Sequence, residues 1–223
     1  LSFFSIPTLL PAQTTAIPSI SFIPVYENSQ IGTNGNFYKI TTGDSASFET
    51  LKFYISGIEF RNNEQTIWKE ENSFHLMDMS DKSSMVVRLN KPVQSSFNNI
   101  QFHLGIDSLT NVSGALGGDL DPTKGMYWTW QNGYINFKLE GKSNLCKTRN
   151  NEFEFHLGGY QFPNNSFQTV TLPCTLKENI LISFDLEKFL SQVDLRNENQ
   201  IMSPGNDANL LSKKAASAFS VMK

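Results

Sequence analysis

Gly125-Met126-Tyr127-Trp128-Thr129-Trp130-Gln131-Asn132-Gly133-Tyr134-Ile135-Asn136-Phe137-Lys138-Leu139-Glu140-Gly141 is the stretch on which the fold turns. From Tyr134 onward the side chains alternate: Ile135, Phe137 and Leu139 point one way, while Tyr134, Asn136, Lys138 and Glu140 point the other. Alternation with period two over such a length marks a half-buried strand. Two of the three tryptophans stand one residue apart just before it, and on a strand that spacing puts both indoles on one sheet face. A long loop rich in Gly, Asp and Asn, Gly105 to Gly125, leads into the pair.

Short strands of the same kind flank this stretch. Ile20–Tyr26, Phe37–Thr41, Leu51–Phe60, Ser73–Asp78, Met85–Leu89 and Ile100–Ile106 precede it; Glu152–Leu157, Phe167–Leu172 and Asn179–Phe184 follow. Gly, Asn, Pro and Ser punctuate them, as turns require. Leu186, Phe189, Leu190 and Val193 have helical spacing, as do Leu211, Ala215, Ala218 and Met222 after the Ser203-Pro204-Gly205 turn. The expectation is an all-β fold, an antiparallel β-sandwich of about seven to nine strands with two short peripheral helices.

With 223 residues, one well-buried domain accounts for the chain from 17 to 223. Residues 1–16 read as either the tail of a secretory signal or an amino-terminal arm. Net charge is −3 and no basic block occurs, which argues against a nucleic-acid partner. No apolar run approaches the roughly 20 residues of a membrane-spanning helix. Cys146 and Cys174 are the only cysteines, and in an exported protein the expected state is a disulfide, against two free thiols or a thiolate metal site.

Catalytic patterns are missing: no Gly-x-Ser-x-Gly, nucleotide-binding or His-Glu-x-x-His motif occurs, so the chain is not expected to be an enzyme. Asp107, Asp119 and Asp121 suit turns better than a calcium loop, which needs six or more oxygens. Only three histidines are present. Alternation places His75 with Met77 and Met79, opposite Phe74 and Leu76, and turns His156 away from Phe153, Phe155 and Leu157. Imidazole and thioether together suit Cu(I); surface histidines and gap-filling methionines explain the same pattern.

The Gly105-x-Asp107-Ser108-x-x-Asn111 loop, the Asp121-Pro122 turn with the Trp128-Thr129-Trp130 run after it, and Phe155-His156-Leu157-Gly158-Gly159 together resemble the MbnP-like family. These are secreted bacterial β-sandwich proteins named after a periplasmic protein of methanobactin operons, and the resemblance runs from about Phe53 to Met222. It implies a non-catalytic accessory protein outside the cytoplasm, in the periplasm or on the outer-membrane surface of a Gram-negative bacterium. It also implies one bound copper ion, and a tryptophan oxidised to kynurenine by a dihaem partner related to cytochrome c peroxidases. Matching positions are Trp128, Trp130 and His156, with His75 matching more loosely. The resulting expectation is that His156 and His75 converge on the Trp128–Trp130 pair. A metal-free binding or scaffold subunit of a cell-envelope complex is the second reading, and an aromatic cluster that pins the long loop explains the tryptophans without a ligand.

Overall fold

In a computed structural model of the chain, residues 17–32, 35–40, 44–93 and 96–222 are described. Along it run β1 (Ser19–Tyr26), β2 (Ser45–Asn62), β3 (Gln65–Lys69), β4 (Phe74–Asp78), β5 (Val86–Arg88), β6 (Asn99–Leu104), helix α1 (Ser108–Val112) and β7 (Tyr127–Trp128). Then come β8 (Gly133–Ser143), β9 (Glu152–Gly158), β10 (Gln168–Pro173), β11 (Asn179–Asp185), α2 (Leu186–Leu190), α3 (Asn206–Ser217) and β12 (Phe219–Val221). The expected sandwich is present, with helices at its periphery. The segment 1–16 and Thr41, the end of the expected Phe37–Thr41 strand, lie outside the described residues.

Strand β2, 18 residues long, is the spine of the larger sheet. Along one edge it pairs antiparallel first with β8 and then with β6; along the other it pairs with β4 and then β3. Beyond β8 lies β9, and beyond β6 lies β10. The smaller sheet has β11 between β12 and β1, with β5 on the far edge of β1. Within this mainly antiparallel sandwich, β1 and β11 run parallel over seven residue pairs, Ser19↔Asn179 to Val25↔Asp185. The carboxyl-terminal helix is also shorter than expected. It stops at Ser217, and Phe219–Val221 pairs with β11 instead, covering an edge that would otherwise be bare.

Phenylalanines fill the space between the sheets: Phe22, Phe53, Phe102, Phe137, Phe184 and Phe219 are each buried and in mutual ring contact. Burial of each such ring stabilises by roughly 1.5–3 kcal/mol, and edge-on contacts dominate the cluster, as the ring quadrupoles favour. Met77 and Met79 belong to this core. Both cysteines do too, and the expected disulfide is not formed. Cys146 follows the end of β8, which pairs with the start of β2 at Ala46; Cys174 follows β10, which reaches the end of β2 at Arg61 through Asn99. Fifteen residues of strand at about 3.3 Å each separate those ends, whereas a disulfide needs Cα atoms within about 7 Å.

A second, smaller core lies on the outer face of the larger sheet: Tyr54, Leu76, Ile106, Leu120, Met126, Trp128, Tyr134 and Ile135. Ile135 was expected beside Phe137. A register shift between them inserts an extra residue and turns Ile135 outward to join Tyr134. The 105–126 loop roofs this cluster.

Candidate functional site

The Trp128–Trp130 hairpin begins at Gly125, which closes a 3-10 turn in the left-handed conformation at φ 76°. Strand β7 is only two residues long, pairing Tyr127 with Tyr134 and Trp128 with Gly133. Trp130 therefore lies in the turn and not on the strand, and it is 65% exposed. It nonetheless folds onto Trp128, with ring centroids 5.6 Å apart and planes inclined by 44°. Trp128 itself is 8% exposed and rests on Gly158: a Cβ at that position would come within 2.4 Å of the indole Cζ3 and 2.7 Å of the Tyr134 carbonyl. The glycine is there because two groups already occupy its side-chain space. In the same turn Gln131 Oε1 is buried without a hydrogen-bond partner.

The roofing loop is held by buried amides and phenols. Asn136 Oδ1 accepts the Ile106 N–H at 2.9 Å and its Nδ2 donates to Ser166 Oγ at 2.9 Å. Gly105, at φ +112°, lies against that amide so closely that a Cβ would meet it at 2.4 Å. Asn111 Nδ2 donates to the Ile106 carbonyl, and its Oδ1 accepts the Tyr134 N–H. The Tyr54 hydroxyl donates to the Asp119 carbonyl, and that of Tyr134 donates to the Leu120 carbonyl while accepting the Leu116 N–H. Burial raises the pKa of both phenols, so they stay neutral donors. The aspartates do turn work: Asp107 caps α1 and Asp121 caps the 3-10 turn at Pro122. Asp119 accepts the Leu76 N–H and pairs with Lys124 at 2.6 Å.

His156 sits on β9 opposite Lys138, on the outer face, and is 8% exposed. Its Nε2 is 2.7 Å from Glu140 Oε1. That hydrogen bond, aided by Thr50 and Lys138 against the opposing effect of burial, lowers the Glu140 pKa to about 2. Two residues along the same face of β9 is Gly158, the residue on which Trp128 rests. His75 is elsewhere. It lies on β4, where it pairs with Ile55 of β2, and β4 is separated from β9 by β2 and β8. Three strand spacings of about 4.8 Å put it roughly 14 Å away across the sheet. Its Nε2 contacts Glu70 Oε2 at 2.8 Å. Burial works to raise the Glu70 pKa, and hydrogen bonds from His75 and Ser73 overcome it to hold that carboxyl below its usual range. Trp128 and Trp130 thus pack on each other beside Gly158, two residues from His156 along β9, and His75 lies apart from them. His103 packs on Phe167 at 4.6 Å, with Nδ1 3.1 Å from Thr169 Oγ1. Among the described residues no group of three or more His, Cys, Asp and Glu side chains is placed to hold a metal ion.

Sequence reasoning missed Glu140 as the partner of His156 and Gly158 as the seat of Trp128. Both depend on the β8–β9 register, which alternation within a strand does not disclose. Gly158 carried a partial signal, since a glycine in a strand interior often marks a close approach.

Comparison with known proteins agrees with this architecture. A search of curated proteins gave no match. Among solved structures, MbnP from Methylosinus trichosporium is similar, with a TM-score of 0.63 over 85% of this chain and 83% of that one. At 13% identity this likeness shows the fold alone. The family model described as MbnP matches residues 15–203, a span that contains the whole Trp128–Gly158 arrangement, and the chain belongs to the MbnP family.

Proposed function

We propose that this protein is a non-catalytic accessory protein acting outside the cytoplasm, with Trp128, Trp130, His156 and Glu140 as its working surface. The observation that carries the reading is the seat of Trp128 on Gly158, two residues from an imidazole fixed by a carboxylate. A carboxylate that accepts one ring N–H fixes the tautomer and leaves the other nitrogen free to ligate, which is how protein ligands for metals are commonly oriented.

Copper, which the family resemblance implies, is not accommodated by the encoded side chains alone. One imidazole and one carboxylate, His156 and Glu140, are in place, His75 lies three strands away, and no third His, Cys, Asp or Glu joins the pair among the described residues. An intact indole offers a donor N–H and no lone pair. Kynurenine adds an aryl amine and a ketone, so the copper form of this reading depends on oxidation of Trp128 or Trp130 by a dihaem, cytochrome c peroxidase-like partner. The shortage of donors favours the second reading, a metal-free binding or scaffold subunit of a cell-envelope complex.

Intact mass and metal analysis of the full chain purified from its native host separate the two. Copper together with the mass of one kynurenine supports the first reading, and His156→Ala then abolishes copper while His103→Ala leaves it. Unmodified tryptophans and no copper leave the scaffold reading in place.

A further inference from the structure

At one edge of the sandwich the chain leaves β10, the last strand of the larger sheet, and crosses through residues 174–178 to β11 of the smaller one. Between the two sheets at this crossing lies a cleft of about 560 Å³. Its apolar walls are Leu172 and Pro173 of β10, Ile180 and Leu181 of β11, and Val221 and Met222 at the end of β12. Elsewhere phenylalanine rings close-pack the space between the sheets. A cleft of this volume, mostly apolar and with few polar groups, has the build of a small-molecule site.

The polar groups say what fits. Lys177, on the crossing, is the one charged residue that lines the cleft, and among the described residues no carboxylate pairs with it. Burial raises the pKa of the Cys174 thiol in the cleft wall, and the Lys177 ammonium opposes that rise, so its charge acts on the cleft. Three other polar side chains are committed to the protein. Asn179 Oδ1 accepts from the Ser19 and Ser21 hydroxyls, Asn98 exchanges a pair of hydrogen bonds with Asn63, and Ser220 bonds Ser183. What remains asks for an aliphatic body with one anionic head. A peptide would need main-chain partners along a strand edge. Pro173 has no N–H to give, and those of Cys174 and Met222 already donate to the Asn98 and Leu181 carbonyls.

We propose that this cleft binds one fatty-acid chain, buried against Leu172, Leu181, Val221 and Met222 with its carboxylate on Lys177. This goes beyond the accessory reading and does not depend on copper. The test is calorimetric titration of the full chain with laurate, kept below the concentration at which it forms micelles. Saturable one-to-one binding is expected, weaker by roughly fourfold for each methylene removed from the chain. Lys177→Glu should weaken laurate by about tenfold and leave dodecanol, the same chain without the charge, unchanged. Lys177 is exposed, so the variant keeps its fold, which an unchanged melting curve confirms. Bound laurate should also slow alkylation of Cys174 and not that of Cys146, which does not line the cleft. Absence of saturable binding overturns the proposal, as does a Lys177→Glu variant that keeps full laurate affinity or loses laurate and dodecanol alike. Unchanged Cys174 alkylation with laurate bound puts the ligand elsewhere and likewise overturns it. Attachment to phosphatidylglycerol vesicles without binding of monomeric laurate assigns Lys177 to a membrane surface instead, with the same result.

Discussion

Gly158→Ala tests the seating of Trp128 directly. The added carbon would stand 2.4 Å from Cζ3 and 2.9 Å from Cη2 of the indole, and 2.7 Å from the Tyr134 carbonyl oxygen. Carbon atoms in good contact sit about 3.5–4.0 Å apart, so the ring must move by about an ångström. The Tyr134 carbonyl belongs to the backbone of β8 and cannot yield as a side-chain tip does. Overpacking of this kind costs about 1–3 kcal/mol, offset by about 0.5–1 kcal/mol from the stiffer unfolded chain. A net loss of about 1–2 kcal/mol is expected in urea unfolding followed by circular dichroism. Tryptophan emission should shift as the indole lifts from its seat. Cζ3 and Cη2 both belong to the six-membered ring of the indole, so Trp128→Phe in the same chain should recover part of the loss, giving a coupling of about 1 kcal/mol in a double-mutant cycle. If Gly158→Ala is as stable as wild type with unchanged emission, the indole does not rest on Gly158, and the proximity of Trp128 to His156 falls with it.

Three further outcomes follow from the same geometry. Glu140→Gln should destabilise by about 1–2 kcal/mol at neutral pH, the size of a partly exposed charged hydrogen bond. The Glu140 pKa is lowered to about 2 on folding, so its contribution is present above the ordinary carboxylate range near 4.5 and is lost as pH falls towards 2. Wild type and variant should therefore converge in acid, and a difference that grows on acidification would contradict the assignment. Asn136→Ala leaves the buried Ile106 N–H without its acceptor, a cost of about 1–3 kcal/mol; hydrogen exchange in 105–126 should accelerate, and unchanged protection there would refute the staple. Burial raises both thiol pKa values to about 11. At pH 8 alkylation should be slow in folded protein and should reach both cysteines in denaturant without reductant; one disulfide and no free thiol in denaturant would show the reading wrong.

The strands legible in the sequence were those whose one face is the main core, because period two records burial directly. Strand β8 was readable from Phe137 to Glu140 for that reason. Its start was not, since the bulge before Phe137 reassigns Ile135 without any mark in composition. Strand β3 was passed over although Thr66, Ile67 and Trp68 favour a strand and Asn63 supplies a left-handed turn at φ 52°. The disulfide expectation failed because two cysteines 28 residues apart by number sit at opposite ends of β2. At the candidate site, the tryptophans and His156 could be picked from the sequence as unusual residues. Glu140 could not, because its role arises only from which strand lies beside which.

The parallel pairing of β1 with β11 has a consequence for how the molecule is made. Ser19 meets Asn179, a partner 160 positions later. At typical synthesis rates of about 5–20 residues per second, β1 waits on the order of ten seconds before β11 exists. During that time Ile20 and Phe22 have only β5 of the smaller sheet beside them, and the phenylalanine core cannot close over them. The larger sheet, most of whose strands lie between β2 and β9, is free to assemble first. Closure of such a distant contact is slow and exposes apolar strand surface meanwhile. The amino-terminal strand is therefore the part of this protein most in need of a holding chaperone while the rest of the chain arrives.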